Sequence, residues 1–311
     1  MSRIEFSRGA HIDRDNLIAL QALAAQLPLK RQRKVLNDKA GTHTSAMRGR
    51  GIDFAEVREY QPGDDIRAMD WRVTARTGEA HIKLFREERE RPVMLACDLR
   101  AHMRFGTRRA FKHVLAADLT ALLGWAALRN GDRIGGLLFD DSSETDLRSR
   151  NGSRQVLNLV HQLATWPAPA SDTLKRQDRL AQMLRHLQRI CRPGSAVYII
   201  SDWHGFDAAG EQALFQLSRH CDVSAVHLFD ALEAELPPPG HYTLSDGQQR
   251  LNLATHSRAA RLSHQQAFEQ HRDNLQQALV KLEIPLLSIA TDDDVLSRLY
   301  QGLGMAWEKR A

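Results

Sequence analysis

Apolar and polar residues alternate differently on the two sides of Pro92. Beyond it, continuous apolar runs of strand length are separated by segments whose apolar residues recur at helical spacing. The two strongest runs are residues 93–98 and 196–201, and an aspartate, Asp98 or Asp202, ends or follows each. This alternation predicts an α/β fold with a doubly wound, mostly parallel sheet.

The same pattern predicts the remaining elements of residues 92–311. Strands are expected at 133–139, 223–229 and 285–290, with a short edge strand at 142–147. Helices are expected after Thr107, which would cap the first, and at 153–164, 174–191, 208–219, 258–282 and 295–307. Residues 237–255 are expected to form an inserted β-hairpin.

Residues 1–91 are predicted to form a smaller amino-terminal region of mixed character. Apolar spacing over residues 17–27 indicates one short helix, and a polar, basic loop follows it. Residues 49–91 are rich in charge but punctuated by aromatic residues, which indicates short strands and turns. The chain is therefore divided into residues 1–91 and residues 92–311.

Charge and composition exclude several classes of protein. The formal net charge is only +5, from 43 basic and 38 acidic residues, so no nucleic-acid partner is expected. The three cysteines are widely spaced and form no metal or disulfide motif, which fits a reducing compartment. The longest apolar stretch, residues 115–128, is too short to span a bilayer and contains Asp118. A cytoplasmic protein without direct membrane insertion is expected.

The two strand-end aspartates indicate the candidate site. In open α/β sheets, ligands bind beyond the carboxyl ends of the strands, where the strand order reverses. Asp98 and Asp202 should meet in that crevice, where their mutual repulsion requires a positive neighbour. That neighbour could be a divalent cation or a basic side chain.

The residues after the first strand resemble a von Willebrand factor A domain. The sequence from Asp98 to His102 (DLRAH) stands where that family has its Asp-x-Ser-x-Ser metal-binding element. The resemblance implies a magnesium site formed by Asp98, Thr173 and Asp202. Arg100 and His102 replace both serines, so we expect Arg100 to pair with an aspartate in place of the metal, and no cofactor. The alternatives are a weaker magnesium site and an outward-pointing Arg100.

Loops at this edge are expected to form the recognition face for a partner. Trp203 and Phe206 follow Asp202 and are either lids over the core or anchors for a partner. His204, in the same loop, is expected to form a hydrogen bond near the crevice. The candidate partner-binding residues are Arg100, His102, Trp203, His204 and Phe206.

A charged segment before the α/β region resembles a second, more specific family. Residues 49–60 (GRGIDFAEVREY), 63–72 (GDDIRAMDWR) and 75–78 (ARTG) are similar to domain-of-unknown-function family 58. Its members carry this segment before a von Willebrand A-like domain. The resemblance implies partnership with a MoxR-type AAA+ ATPase, and possibly with other von Willebrand A proteins.

Alternating charges in this segment favour a salt-bridged brace over a partner surface. Arg–carboxylate pairs could hold the turns rigid around a tryptophan that stacks on a guanidinium. The brace would consist of Asp64, Asp65, Arg67, Asp70, Trp71 and Arg72.

Known catalytic motifs are missing from the sequence. No glycine-rich phosphate loop follows residues 93–98, and no GxSxG motif occurs. We therefore expect a non-catalytic adaptor module that works with the ATPase in assembly or maturation of other proteins. The alternative is a metal-dependent hydrolase that uses Asp98, His102, Asp202 and His204.

Overall fold

The computed structural model describes residues 5–27, 52–61, 66, 69–87, 90–168, 178–245 and 250–302. Two compact units are present. One combines Met1–Gln32 with Arg91–Ala311, and the other is Arg33–Glu90. The helix predicted at residues 17–27 therefore belongs to the α/β unit rather than to the amino-terminal region in which the sequence placed it.

The described elements alternate between strands and helices from Pro92 onward, as the pattern predicted. The strands are β1 (Ile52–Glu59), β2 (His81–Glu87), β3 (Pro92–Asp98), β4 (Arg133–Phe139), β5 (Glu144–Arg150), β6 (Ala196–Ser201), β7 (Asp222–Phe229), β8 (His241–Ser245), β9 (Arg250–Ala254) and β10 (Leu286–Ala290). The helices are α1 (Arg14–Ala19), α2 (Gln21–Ala24), α3 (Trp71–Thr77), α4 (Lys112–Arg129), α5 (Ser153–Ala164), α6 (Arg179–Ile190), α7 (Ala208–Ser218), α8 (Ala231–Ala234), α9 (Arg258–Lys281) and α10 (Val295–Gly302).

A six-stranded sheet in the order β10-β7-β6-β3-β4-β5 forms the centre of the α/β unit. All neighbours are parallel except the edge strand β5, which is antiparallel to β4. The chain builds outward from β3 to β4 and β5, then returns to the other side of β3 to add β6, β7 and β10. The strand order thus reverses between β3 and β6, so the carboxyl ends of these two strands flank the crevice.

Side chains alternate across the central strands and bury two separate apolar layers. Leu95 of β3 packs into one layer with residues from α4, α5 and α10, whereas Met94 and Ala96 face the other, with α6, α7 and α9. Because successive residues of a strand point to opposite faces, a strand covered by helices on both sides is apolar throughout. This explains the unbroken run that the sequence shows before Asp98.

The amino-terminal helices α1 and α2 cover α4 on the first of these layers. Leu17 is buried in that layer, and the indole Nε1 of Trp125 donates to its carbonyl at 3.0 Å. Ser7 donates its backbone N–H and its hydroxyl to Asp118 at 2.6 and 2.7 Å. These contacts between residues more than a hundred positions apart explain why residues 5–27 group with the α/β unit.

The second unit contains an antiparallel pair, β1 and β2, whose register shifts between Phe54 and Glu56. Helix α3 lies between the two strands in sequence. The sequence predicted only strands and turns here and missed this helix. Asp70 caps it by accepting from the backbone N–H groups of Arg72 and Val73, at 3.0 and 3.2 Å. The available signal was a capping aspartate, Asp70, three residues before the apolar Val73.

The predicted cap at Thr107 is wrong, and the predicted hairpin is described in part. Thr107 does not cap α4, which begins at Lys112; its hydroxyl and backbone N–H donate instead to Asp230, at 2.6 and 2.9 Å. The predicted hairpin is present as β8 and β9, and its tip lies outside the described residues. Among the helices that the structure describes, none combines the length and apolar character needed to cross a membrane.

Candidate functional site

Asp98 and Arg100 form a buried ion pair at the carboxyl end of β3. The guanidinium donates from Nη2 to Oδ2 of Asp98 at 2.6 Å and from Nε to both oxygens at 3.0 and 3.1 Å. Neither side chain is more than 2% exposed. Burial works to lower the pKa of Arg100, but the neighbouring Asp98 outweighs it and raises that pKa. The pairing that the sequence suggested is therefore present.

Asp202 accepts from two further side chains at the end of β6. Its Oδ2 atom lies 2.7 Å from Nδ1 of His102 and 2.8 Å from Nζ of Lys112. Lys112 is 1% exposed and also donates to Glu233, at 2.7 Å. Burial would raise the pKa of Asp202, but hydrogen bonds from His102 and Lys112 hold it well below its usual range. Asp202 therefore carries a negative charge in the folded protein.

The two carboxylates meet at one edge of the sheet, and Arg100 connects them. Its Nη2 atom is 3.9 Å from Oδ1 of Asp202, and its Nη1 atom donates to the carbonyl of His204 at 3.1 Å. Ser201 donates its hydroxyl to Asp98 at 2.6 Å and accepts from the backbone N–H of Trp203. The bonds from Arg100 to His204 and from Ser201 to Asp98 thus join the ends of β3 and β6, and each involves a charged group, which makes it one of the stronger class.

Two histidines face each other at the solvent side of this cluster. The rings of His102 and His204 have centroids 4.9 Å apart. Nδ1 of His102 faces Asp202, while its Nε2 atom is buried and without a hydrogen-bond partner among the described residues. Burial, and next the charge of His102, lowers the pKa of His204. His204 is exposed and offers its ring nitrogens to a ligand, whereas both ring nitrogens of His102 are enclosed.

Several predicted partner-binding residues are not on the surface. Trp203 is 0% exposed, packs in the second apolar layer and donates its indole N–H to the carbonyl of Val226. Its φ of 59° lies in the left-handed region, which few residues other than glycine adopt. Phe206 is partly buried against Trp203, with ring centroids 5.5 Å apart. Trp203 is therefore a lid over the core, and its assignment to a recognition surface, with that of Arg100, is corrected. Phe206 is only partly buried, so its assignment stays a prediction.

The residues at this edge do not fit a magnesium ion. Ligand atoms of Asp98, His102 and Asp202 lie within 4.8 Å of one another, a spacing that could accommodate a cation. However, Asp98 already faces Arg100 and Asp202 already faces Lys112, so an added divalent ion would meet two positive charges. Magnesium also favours six oxygen ligands, whereas His102 offers a nitrogen. Thr173, the third predicted ligand, lies outside the described residues.

The predicted brace is described only in part. Asp64, Asp65 and Arg67 lie outside the described residues. Trp71 is 67% exposed and so is not enclosed by the ion pairs that the sequence suggested.

Sequence reasoning missed the lysine and the glutamate of the site. Lys112 begins a helix whose next fifteen residues are all buried, and Glu233 lies on the short helix α8. The available signal was that α4 is mostly apolar. A lysine in a buried segment needs a partner for its charge, so Lys112 could have been singled out. A third strand-end carboxylate, Asp230 after β7, was also missed; it accepts from the hydroxyls of Thr107 and Thr291, both at 2.6 Å.

Comparisons with known proteins place this chain in a family. It is 31% identical to the uncharacterized proteins Rv1480 of Mycobacterium tuberculosis and Mb1516 of Mycobacterium bovis over 280 residues, 89% of this chain and 87% of each relative. It is 30% identical to the uncharacterized protein YeaD of Bacillus subtilis over 125 residues, 40% of this chain and 29% of YeaD.

Two solved structures resemble the fold loosely. BatB from Bacteroides thetaiotaomicron and an aerotolerance-related membrane protein from Bacteroides fragilis each superpose with a TM-score of 0.41, at 11% and 14% identity. Each superposition covers 69% of this chain and 97% or 98% of the other. The sequence model described as "Protein of unknown function DUF58" matches residues 56–274. The chain belongs to the DUF58 family.

Proposed function

We propose that this protein is a non-catalytic adaptor with a von Willebrand A-like fold, and that it recognises a protein partner at the carboxyl edge of its central sheet. The partner class that the family resemblance implies is a MoxR-type AAA+ ATPase. We further propose that the two proteins meet in the cytoplasm, as expected from the sequence.

The observation that carries this proposal is the Asp98–Arg100 pair. A guanidinium that is part of the chain holds the position beside Asp98 that the von Willebrand A resemblance assigns to a metal ion. The pair is buried and bonded to the loop that contains His204. A recognition face built in this way would be organised before a partner arrives, which reduces the entropic cost of binding.

The exposed rim of the same edge supplies the groups that a partner could contact. His204 is exposed, and Arg108, between β3 and α4, has a side chain that is 68% exposed. Arginine is enriched at binding hot spots, and histidine can donate or accept a hydrogen bond. The buried cluster would position this rim rather than touch the partner itself.

Co-purification with a MoxR-type ATPase tests the adaptor role. The ATPase would be held in its nucleotide-bound state with a non-hydrolysable ATP analogue and captured by the immobilised full chain. We expect capture by the wild type, at least fivefold weaker capture by His204→Ala, and unchanged capture by Arg192→Ala. Arg192 is exposed and precedes β6, so it lies at the opposite edge of the sheet. Absence of ATPase enrichment would argue against the proposed partner.

A hydrolase is the second candidate, and the His102–Asp202 contact favours it. A carboxylate on Nδ1 orients the ring and leaves Nε2 as a proton acceptor, which is the arrangement of a general base, although Nε2 is buried in this structure. The hydrolase would use the side chains of Asp98, His102, Asp202 and His204 in its active site. A screen of phosphate and carboxylate esters, with His102→Gln as the control, tests it. Turnover that the variant loses would favour the hydrolase over the adaptor.

A further inference from the structure

A large groove lies beside the site, at the same edge of the α/β unit. Its volume is about 1120 Å³, somewhat more than the ~300–1000 Å³ of typical small-molecule sites. The segment between β3 and α4 forms one wall, and the β8–β9 hairpin with the segment that precedes it forms the other. Neither the ion-pair cluster nor the two histidines of the recognition face line it.

We infer that this groove binds a short extended peptide of a partner protein, in which acidic residues flank a large apolar side chain. The inference deepens the proposed function and rests on it only in taking the ligand to be a protein. Two properties of the groove lead to it: its arginine side chains and its aromatic lining.

The rim of the groove has an excess of positive charge. Arg104, Arg108 and Arg250 line it, against the two carboxylates of Glu235 and Asp292. Arg108 pairs with Asp292 at 2.6 Å, but neither Arg104 nor Arg250 forms an ion pair with a carboxylate of the described residues. Arg104 and Arg250 therefore remain against one carboxylate, Glu235, which leaves one net positive charge to attract an acidic side chain of a ligand.

Arg104 is incompletely hydrogen-bonded among the described residues. Its Nε atom is buried and has no hydrogen-bond partner within the described part of the chain, although Nη2 donates to the carbonyl of Pro167. Burial lowers the pKa of Arg104, so its charge is poorly solvated there. Asp140 supplies part of the counter-charge, and a carboxylate in the groove would add a charge-assisted hydrogen bond to the guanidinium.

Aromatic side chains line part of the groove. Phe111 at the start of α4, Phe229 at the end of β7 and Tyr242 of β8 all line it. Aromatic side chains bury large areas and prefer edge or offset contacts with other rings and apolar groups. These rings would contact the apolar side chain of the ligand, while Arg104 and Arg250 would pair with the acidic side chains beside it.

Binding of defined peptides to the full chain, without any ATPase, tests this inference. The probe is a fluorescein-labelled hexapeptide, Asp-Leu-Phe-Asp-Leu-Glu, and its affinity is measured by fluorescence anisotropy. Two comparison peptides replace its acidic residues by lysine or its apolar residues by serine. We expect the probe to bind at least tenfold more tightly than either, and Arg250→Glu or Arg104→Gln to weaken binding about tenfold. The control Arg192→Glu, an exposed site at the opposite edge of the sheet, should bind normally.

Several outcomes would overturn the inference. These are equal binding of the lysine peptide, unchanged affinity in Arg250→Glu, or no binding of the probe at millimolar concentration. Displacement of the probe by an oligothymidine of equal charge would indicate a nucleic acid instead. Much tighter probe binding after removal of residues 303–311 would assign the groove to the chain's own carboxyl terminus. Because no ATPase is present, failure of the adaptor proposal would leave these results unaffected.

Discussion

Lys112 and Asp202 form an ion pair inside the protein, with 2.8 Å between Nζ and Oδ2, although they are 90 residues apart. The pair joins the first residue of α4 to the end of β6, and a second bond from Lys112 extends it to Glu233 on α8. Asp202 is 7% exposed, so its charge depends on these partners rather than on water. The edge of the sheet is therefore held together by charges that compensate one another.

Removing Lys112 should destabilise the protein strongly. In Lys112→Met the two carboxylates lose a shared cation, and Asp202 remains buried. Breaking one side of a buried pair typically costs ~3–5 kcal/mol. We expect a loss of that order in the free energy of unfolding, measured by urea denaturation at pH 7.

The matched control is Lys281→Met, since Lys281 is exposed near the end of α9. Exposed substitutions of this kind usually change stability by less than about 0.5 kcal/mol. If Lys112→Met were as mild as the control, the buried network would not contribute to stability in the way proposed.

Asp118 should make stability fall as the pH rises through the weakly acidic range. Burial raises the pKa of Asp118 from 3.8 to about 6, despite the hydrogen bonds from Ser7. The folded state therefore binds more protons than the unfolded state between those values, and folding is favoured by protonation. The stability that Asp118 contributes is fully present below pH ~4 and is lost as the pH rises through ~6. The shift in pKa corresponds to about 3 kcal/mol of the free energy of unfolding.

The test compares the wild type with Asp118→Asn, which does not titrate. Urea denaturation gives the free energy of unfolding at each pH. Between pH 4 and pH 7, the wild type should lose up to about 3 kcal/mol relative to the variant. Asp273→Asn is the control, because the Asp273 side chain is 60% exposed. Parallel stability curves for the wild type and Asp118→Asn would show that the pKa of Asp118 is not raised.

Asp70 should stabilise the second unit as a helix cap. Loss of an N-cap typically costs ~0.5–2 kcal/mol, and Asp70 accepts from two backbone N–H groups of α3. In Asp70→Ala, amide exchange of residues 71–77 should become about fivefold faster, as measured by mass spectrometry. Arg72→Ala should change it little, because its side chain is exposed. Equal acceleration in both variants would instead support the paired brace.

The fold of residues 92–302 was largely predictable because burial on both faces of a sheet leaves a simple pattern. Strand β3 and strand β6 are apolar without interruption, and the helices between strands are long enough to repeat their spacing. Helix α3 has only seven residues, so its periodicity is too brief to recognise. The grouping of α1 and α2 with α4 depends on long-range contacts, such as Ser7 with Asp118, that local pattern does not encode.

The site was predictable only where secondary structure alone places a residue. Asp98 and Asp202 follow the ends of strands, and topology brings such positions together. The burial of Trp203 depends on packing against the second apolar layer, and the partner of Lys112 depends on how α4 packs. Sequence reasoning therefore found both carboxylates, yet mistook a buried tryptophan for a candidate surface residue and missed the lysine.

The response of thermal stability to magnesium tests the central claim most directly. Unfolding of the wild type would be followed in excess magnesium chloride and, at matched ionic strength, in sodium chloride with a chelator. A ligand present at a hundred times its Kd stabilises a protein by ~2.7 kcal/mol, enough to raise the Tm of a chain of this size by several degrees. With Arg100 beside Asp98, we predict a change of less than about 1 °C. A magnesium-dependent rise of several degrees would contradict the proposal that Arg100 takes the place of the metal.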